Sequence, residues 1–216
     1  MSDENIETGT EPEAGIDPEK AARHAEKMAK KKAARNKIMA TKTETGGLLI
    51  VHTGKGKGKS TAAFGMVCRA LGHDMNVGVV QFVKGKWETG ERKVLEAFAD
   101  QISIRTMGEG FTWDTQDLNR DIAAARAAWE QAKELMADPE IDMVLMDELN
   151  IVLRYDYLPL EEVVETLKNK RPDLHVIVTG RNAKEELIEA AHLVTEMTQI
   201  KHPFRQGFKA QAGIEF

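Results

Sequence analysis

The sequence reads as an α/β protein: an open, mostly parallel sheet with helices on both faces and a basic helix ahead of it. Three features carry that reading. From Gly47 onward, strand-like and helix-like stretches alternate, as a parallel sheet with right-handed crossovers requires. Several strand stretches are continuous apolar runs, such as Val144-Leu145-Met146 and Val176-Ile177-Val178, which suits strands covered on both faces. A glycine-rich turn, Gly54-Lys55-Gly56-Lys57-Gly58-Lys59-Ser60-Thr61, joins the first strand to the first helix.

Taken in order, residues 1–19 are acidic, with Gly9, Pro12, Gly15 and Pro18 and almost no apolar content. That composition predicts a disordered tail. Residues 20–46 switch sign, from Lys20 and Arg23 through Lys42, with alanines, Met28, Ile38 and Met39 interleaved. A helix is expected there, either as a solvated basic face or as a mobile lid meeting an anionic ligand or a partner subunit. Residues 47–216 form the expected α/β domain. Its strands are placed at 48–53, 77–83, 102–106, 143–146, 176–179 and 193–198, and its helices at 60–71, 91–99, 115–136, 159–170 and 183–191. Pro159 suits a first helical turn, and Arg171-Pro172 suits a helix end. Ligands of such a sheet bind at the carboxyl ends of the strands.

Strand, glycine-rich turn and a helix opening at Gly58-Lys59-Ser60 together make a phosphate-binding P-loop, so the fold is P-loop NTPase-like. Gly54, Lys55, Gly56, Lys57, Gly58, Ser60 and Thr61 would present backbone N–H groups to an anion at a helix start. Lys59 would reach phosphate oxygens, and the Ser60 hydroxyl would ligate Mg²⁺ (or Mn²⁺). The loop is a variant: the usual form has glycine five positions before Gly58, where this chain has Thr53.

Met143-Val144-Leu145-Met146-Asp147-Glu148 is an apolar strand ending in two carboxylates. Such an acid sits beside the cation of a P-loop site. Asp147 and Glu148 are both candidate metal ligands, set against a helix cap and an exposed acid. Arg181, after Val178-Thr179-Gly180, is a candidate phosphate partner or a surface salt bridge. Arg69, further along the first helix, is a candidate for a ribose or a neighbouring subunit. Phe111 and Trp113 lie in a glycine-flanked loop, either lining a pocket for a flat apolar ligand or tucked into the core. Gln81-Phe82-Val83-Lys84-Gly85 ends the second strand and is expected to face the cleft. The six histidines show no metal-ligand spacing.

A net charge of −5 argues against general nucleic-acid binding. One cysteine, Cys68, excludes an intrachain disulfide and suits a reducing compartment. It is read as a small core residue rather than a nucleophile. No apolar stretch approaches the ~20 residues of a membrane span, and the acidic N-terminus is unlike a signal peptide. A cytoplasmic protein is expected.

Several segments, in order, resemble the P-loop ATP:corrinoid adenosyltransferases. They are the glycine-rich loop through Phe64-Gly65, Val77-Gly78-Val79-Val80-Gln81-Phe82, Gly110-Phe111-Thr112-Trp113 and Asp147-Glu148-Leu149. Tyr155-Asp156-Tyr157-Leu158-Pro159-Leu160, Val178-Thr179-Gly180-Arg181, Lys201-His202-Pro203-Phe204 and Gln211-Ala212-Gly213-Ile214-Glu215-Phe216 complete the set. The resemblance runs from about residue 20 to the C-terminus. It implies transfer of the 5′-deoxyadenosyl group of ATP to Co(I) of a corrinoid, with triphosphate released. Cobyrinic acid a,c-diamide, cobinamide and cobalamin are the acceptors it covers. It implies that Lys59 works on the phosphates and that Phe111 and Trp113 pack on the lower corrin face. It also implies a basic N-terminal segment that closes over the corrinoid, a flavin-dependent reductase as partner and a homodimer. Lys55 stands where the family loop often has asparagine. Two other readings are an ATPase or kinase acting on γ-phosphate, and a non-enzymatic corrinoid-binding module.

Overall fold

Side chains alternate along six short strands, and that alternation sorts the core into two layers. The strands are β1 (Leu49–Thr53), β2 (Val77–Gln81), β3 (Ile102–Thr106), β4 (Met143–Asp147), β5 (His175–Thr179) and β6 (Leu193–Glu196). They form one sheet in the order β3-β2-β4-β5-β1-β6, and every pair is parallel. This is a computed structural model, and it describes residues 17–83, 89–107 and 117–215. The chain divides into two units, Met1–Thr45 and Gly46–Phe216, each taken here by itself.

Ile104, Val79, Leu145, Ile177 and Ile50 lie in register across five strands. They pack with Phe64, Val67 and Leu71 of α2 (Lys59–Leu71) and with Leu95, which ends the short α3 (Gly90–Leu95). The intervening positions, among them Leu49, Val51, Val80, Val144, Met146, Val176 and Val178, face the other layer. There they meet α4 (Leu118–Ala137), α5 (Leu149–Arg154), α6 (Leu160–Lys168) and α7 (Glu185–Ala190). Ala125, Ala128, Trp129, Ala132, Leu135 and Met136 make the buried stripe of α4 at helical spacing. Each large apolar side chain so buried contributes about 1.5–3 kcal/mol. The Trp129 indole N–H would be orphaned in that layer, and it donates to Glu162 of α6 at 3.0 Å.

In the first unit, α1 (Pro18–Met39) starts inside the acidic stretch rather than after it. Asp17 caps it, accepting from the Glu19 N–H at 3.0 Å, and Pro18 takes the first turn where its missing N–H costs nothing. No residue of α1 is buried, and Lys30 pairs with Glu26 one turn back at 2.6 Å. Such exposed pairs contribute a few tenths of a kcal/mol.

The second unit departs from the sequence reading in several places. The strand expected over 193–198 ends at Glu196, the helix over 183–191 is Glu185–Ala190, and that over 91–99 is Gly90–Leu95 followed by a 3-10 turn at Glu96–Phe98. β2 stops at Gln81, and Phe82 enters the α4-side core instead of facing the cleft. Helix α5 falls where the sequence reading places no element, between the strand at 143–146 and the helix at 159–170, because six residues carry too little periodicity to show. The helix expected over 159–170 spans only Leu160–Lys168. Cys68 is exposed rather than in the core. The buried face of α2 centres on Ala63, Val67 and Ala70, and one residue past Val67 turns the side chain about 100° away.

The start of β1 is strapped to the strand beside it. Gly47 N–H donates to the Pro172 carbonyl at 2.6 Å, and Lys170 Nζ donates to the Gly47 carbonyl at 2.7 Å. A Cβ on Gly47 would lie 2.0 Å from the Leu174 carbonyl oxygen, a backbone atom that cannot step aside. Gly47→Ala should therefore destabilise the fold by about 2 kcal/mol or more. Gly65→Ala, on the open face of α2 with nothing within 4 Å, should stabilise it by ~0.5–1 kcal/mol. Urea titration of both variants checks the pair; equal midpoints would contradict it.

Candidate functional site

One step beyond the apolar row, toward the carboxyl ends of the strands, the same face of the sheet becomes polar. Thr106 pairs with Gln81, Gln81 with Asp147, and Thr179 with His52. Period two places these side chains on the α2 side, with the residues two positions earlier in each strand. The loop leaving β1 and the first turn of α2 cover the row, so Asp147, Thr179, His52 and Lys59 are buried. β5 lies between the P-loop strand and the acidic strand, and its Thr179 joins the parts. The Thr179 hydroxyl donates to Asp147 Oδ1 at 2.7 Å and accepts from the Glu148 N–H at 2.9 Å. Glu148 takes left-handed backbone geometry (φ 63°) at the start of α5, which is uncommon outside glycine.

The glycines of the loop answer to packing as well as to any anion. A Cβ on Gly54 or Gly56 would come within 2.4 or 2.7 Å of the Met197 carbonyl oxygen. The Gly56 N–H is already donated to that oxygen, at 2.7 Å. Only Gly58 has open space around it, and its φ of 105° explains its identity. Lys59 Nζ donates to the Gly56 carbonyl at 2.6 Å, and the Lys59 carbonyl lies 3.3 Å from His52 Nδ1.

A buried, partly compensated acid pair dominates the electrostatics. Burial pushes the Asp147 carboxyl up, against hydrogen bonds from Thr179, Ser60 and Gln81 that pull it down. Glu148 is pushed up to about 7, first by burial and then by the Asp147 charge, with Lys59 and Arg181 opposing. Its Oε2 is buried without a partner. Burial also lowers the Lys59 ammonium, and Arg181 and Lys57 add to this while Glu148 and Asp147 resist it. A buried carboxylate oxygen lacking a donor, next to a second carboxylate and a hydroxyl, is chemically fitted to a hard cation. Among the described residues no cluster of three His, Cys, Asp or Glu could hold a metal by itself. A cation here would need Ser60 and ligand oxygens to complete its shell.

A cleft of about 580 Å³ gathers Gly56, Lys57, Gly58, Lys59, Ser60, Thr61, Asp147, Glu148 and Arg181. Gln81 and Val83 line it too, whereas Lys84 and Gly85 lie outside the described residues. Gly54 and Lys55 do not line it. Neither does Arg69, which is exposed in the last turn of α2; its position in the helix places it roughly 14 Å along the axis from Ser60. Phe111 and Trp113 lie outside the described residues. Sequence reading missed Glu91, from the start of α3, and Glu215, which pairs with Lys57. No local signal marks Glu91; Glu215 lies in the quoted C-terminal segment without a role assigned to it, and both are brought in by segments remote in sequence.

Two family models match the chain. One, described as ATP:corrinoid adenosyltransferase BtuR/CobO/CobP, covers residues 45–216. The other, described as Cob(I)alamin adenosyltransferase N terminal, covers residues 10–39. A corrinoid adenosyltransferase of Sinorhizobium sp is 60% identical over 218 residues, covering 100% of each chain. One from Pseudomonas aeruginosa is 52% identical over 92% of this chain and 98% of its own. Corrinoid adenosyltransferase CobA of Salmonella typhimurium is 47% identical over 82% and 90% respectively. No helix among the described residues is long and apolar enough to cross a membrane.

The raised pKa of Glu148 has a stability consequence. Below pH 4.5 the carboxyl is neutral in folded and unfolded chains alike. Between 4.5 and about 7 the unfolded chain gives up the proton and the folded chain keeps it. Stability of the metal-free, nucleotide-free protein is therefore lost as pH rises through that window, by about 3 kcal/mol in full. Glu148→Gln removes this titration. Thermal melts in chelator at pH 5 and pH 8 should show a smaller drop for the variant than for the parent; equal drops would contradict the assignment.

Proposed function

The chain belongs to the ATP:corrinoid adenosyltransferases, and from that premise we propose how its own residues perform the transfer. The reaction joins the 5′-carbon of ATP to the cobalt of a reduced corrinoid. The electron pair of Co(I) forms the Co–C bond, the C5′–O bond breaks, and triphosphate leaves with the bonding pair. The observation that carries this reading is the shared cleft, in which a P-loop, a buried lysine, an acid pair and an arginine converge.

Charge develops on the oxygen leaving C5′, so the protein's task is to hold and neutralise a triphosphate. Lys59 is placed for this. It donates to the Gly56 carbonyl, and a phosphate oxygen is the better acceptor for an ammonium. Lys57 and Arg181 add positive charge at the cleft wall. Ser60, Asp147 and Glu148 would hold Mg²⁺, or Mn²⁺, which when bound supplies Lewis-acid neutralisation of the phosphate chain. The unpartnered Glu148 Oε2 supports that ligand set. A γ-phosphate reaction needs a water or hydroxyl activated by a base. Here the nucleophile is the cobalt, and Glu148 is left free to serve the cation.

Phe111 and Trp113 are proposed to wall the lower corrin face. An apolar wall excludes a polar axial ligand from cobalt, which disfavours the higher oxidation state and eases reduction to Co(I). A flavin-dependent reductase in the cytoplasm is the proposed electron source, and a homodimer the proposed assembly. The basic α1 unit is proposed to close over the corrinoid. Arg69, Gly54 and Lys55, outside the cleft lining, are proposed as supports of the loop and helix or of a subunit contact rather than as groups on the phosphates.

Lys59→Ala should lower the rate of adenosylcorrinoid formation at saturating ATP by roughly 2–4 kcal/mol of transition-state stabilisation. Wild-type turnover would refute the role. Phe111→Ala or Trp113→Ala should lose activity when a flavin donor must reduce Co(II). Much less should be lost when a strong chemical reductant supplies Co(I), with ATP affinity unchanged. Equal losses with both reductants would reduce the rings to corrinoid positioning.

A further inference from the structure

The turn that carries Arg181 to the cleft is fastened at both ends. At its start the Gly180 N–H donates to the His52 carbonyl of β1 at 3.2 Å, and the Gly180 carbonyl accepts from Asn150 Nδ2 at 3.0 Å. At its end the Ala183 N–H donates to the Thr53 hydroxyl oxygen at 3.0 Å. Arg181 lies between these points and lines the cleft with Lys59, Asp147 and Glu148. Asn150 is the second residue of α5 and is fully buried.

Chemistry fixes which end of the Asn150 amide faces the turn. A backbone carbonyl only accepts, so the NH₂ end must meet Gly180. Flipped by 180°, the amide would set oxygen against oxygen. Its Oδ1 is buried without a partner among the described residues. A side chain kept for packing alone would be apolar here, because an unpaired buried acceptor costs stability. What the amide gains is one bond to a peptide in a conformation that glycine adopts readily and other residues do not: Gly180 has φ 129°. A Cβ on Gly180 would lie 2.8 Å from Asn150 Cβ and 3.1 Å from Glu148 Oε2. The turn therefore runs directly against the start of α5 and the buried acid, and the next residue, Arg181, emerges at the cleft wall.

We propose that Asn150 is a positioning residue for Arg181: by holding the Gly180 carbonyl it locks the turn between β5 and α7, so that the guanidinium meets the phosphates of ATP from a preset backbone. This rests on the reading of Arg181 as a positive charge for the phosphates given above. Asn150 acts through the turn and touches no substrate. Its contribution is a smaller ordering cost when the nucleotide binds.

The test uses Asn150→Leu, of similar volume without a donor, and Asn150→Ala, which leaves space where leucine would crowd. Each is made in the full chain with and without Arg181→Ala. Amide hydrogen exchange by NMR, without nucleotide, follows Gly180 and Ala183. Both N–H groups should exchange about tenfold faster in the Asn150 variants, while the amides inside β1 and β5 keep the rates of the parent. Unchanged rates at Gly180 and Ala183 overturn the lock. Equal acceleration along β1 and β5 overturns it in favour of a general packing defect. Calorimetry then measures binding of ATP with Mg²⁺. Arg181→Ala should cost about tenfold in affinity, the size of one hydrogen bond to a charged group, and each Asn150 variant about fivefold. The double variants should bind no more weakly than Arg181→Ala alone, and losses that multiply overturn the positioning role. If Arg181→Ala binds ATP as the parent does, the phosphate reading of Arg181 fails, and the exchange rates still decide the lock.

Discussion

Everything at this site depends on where one row of side chains stops being apolar. Five strands carry Ile104, Val79, Leu145, Ile177 and Ile50 in register under α2, and two residues on carry Thr106, Gln81, Asp147, Thr179 and His52. The same helix that covers the apolar row begins over the polar one, with Lys59 in its first turn. Burial of the core and burial of the charges are therefore one structural event. The sheet cannot seal its α2 face without enclosing the acid, and the acid must be satisfied from within. Thr179 on the intervening strand does much of that, bridging the Asp147 carboxylate and the Glu148 backbone.

That satisfaction stops short of completion, and the shortfall is where function enters. Asp147 accepts from the Thr179 hydroxyl at 2.7 Å, but Glu148 leaves one oxygen buried and unpartnered. Lys59 opposes both acids yet is itself pushed toward neutrality by burial. A protein selected only for stability would replace such a set with apolar residues. Under the proposed function the set is kept, because a polyphosphate with its cation would complete the network on binding. The C-terminal segment belongs to the same arrangement. Glu215 pairs with Lys57 of the loop, so a chain end far away in sequence forms one wall of the cleft.

Much of this was legible in the sequence, for identifiable reasons. Buried parallel strands are continuous apolar runs, so β4 and β5 announce themselves, and an apolar run ending in Asp147-Glu148 in a chain that also carries a glycine-rich strand-to-helix turn states its chemistry. Less could be read where the deciding contact is remote. Glycines 54 and 56 look like an anion cradle, but the backbone of Met197 demands them as well, and no pattern near residue 54 encodes that. Thr179 reads as the end of a strand; its role follows only from β5 lying between β1 and β4. Helix α5 was hidden because six residues give too little periodicity to show as a helix. Phe82 follows Gln81 by one residue, so period two carries its side chain to the opposite face and into the α4-side core, while Gln81 stays on the cleft side.

The central claim is that this cleft holds a triphosphate as a single leaving group rather than cleaving it. Phosphorus NMR of a complete anaerobic reaction tests it most directly, with ATP, chemically reduced corrinoid and the full chain. The account predicts inorganic triphosphate in one-to-one proportion with adenosylated corrinoid, and no ADP. ADP with orthophosphate, formed whether or not the corrinoid is present, would contradict it.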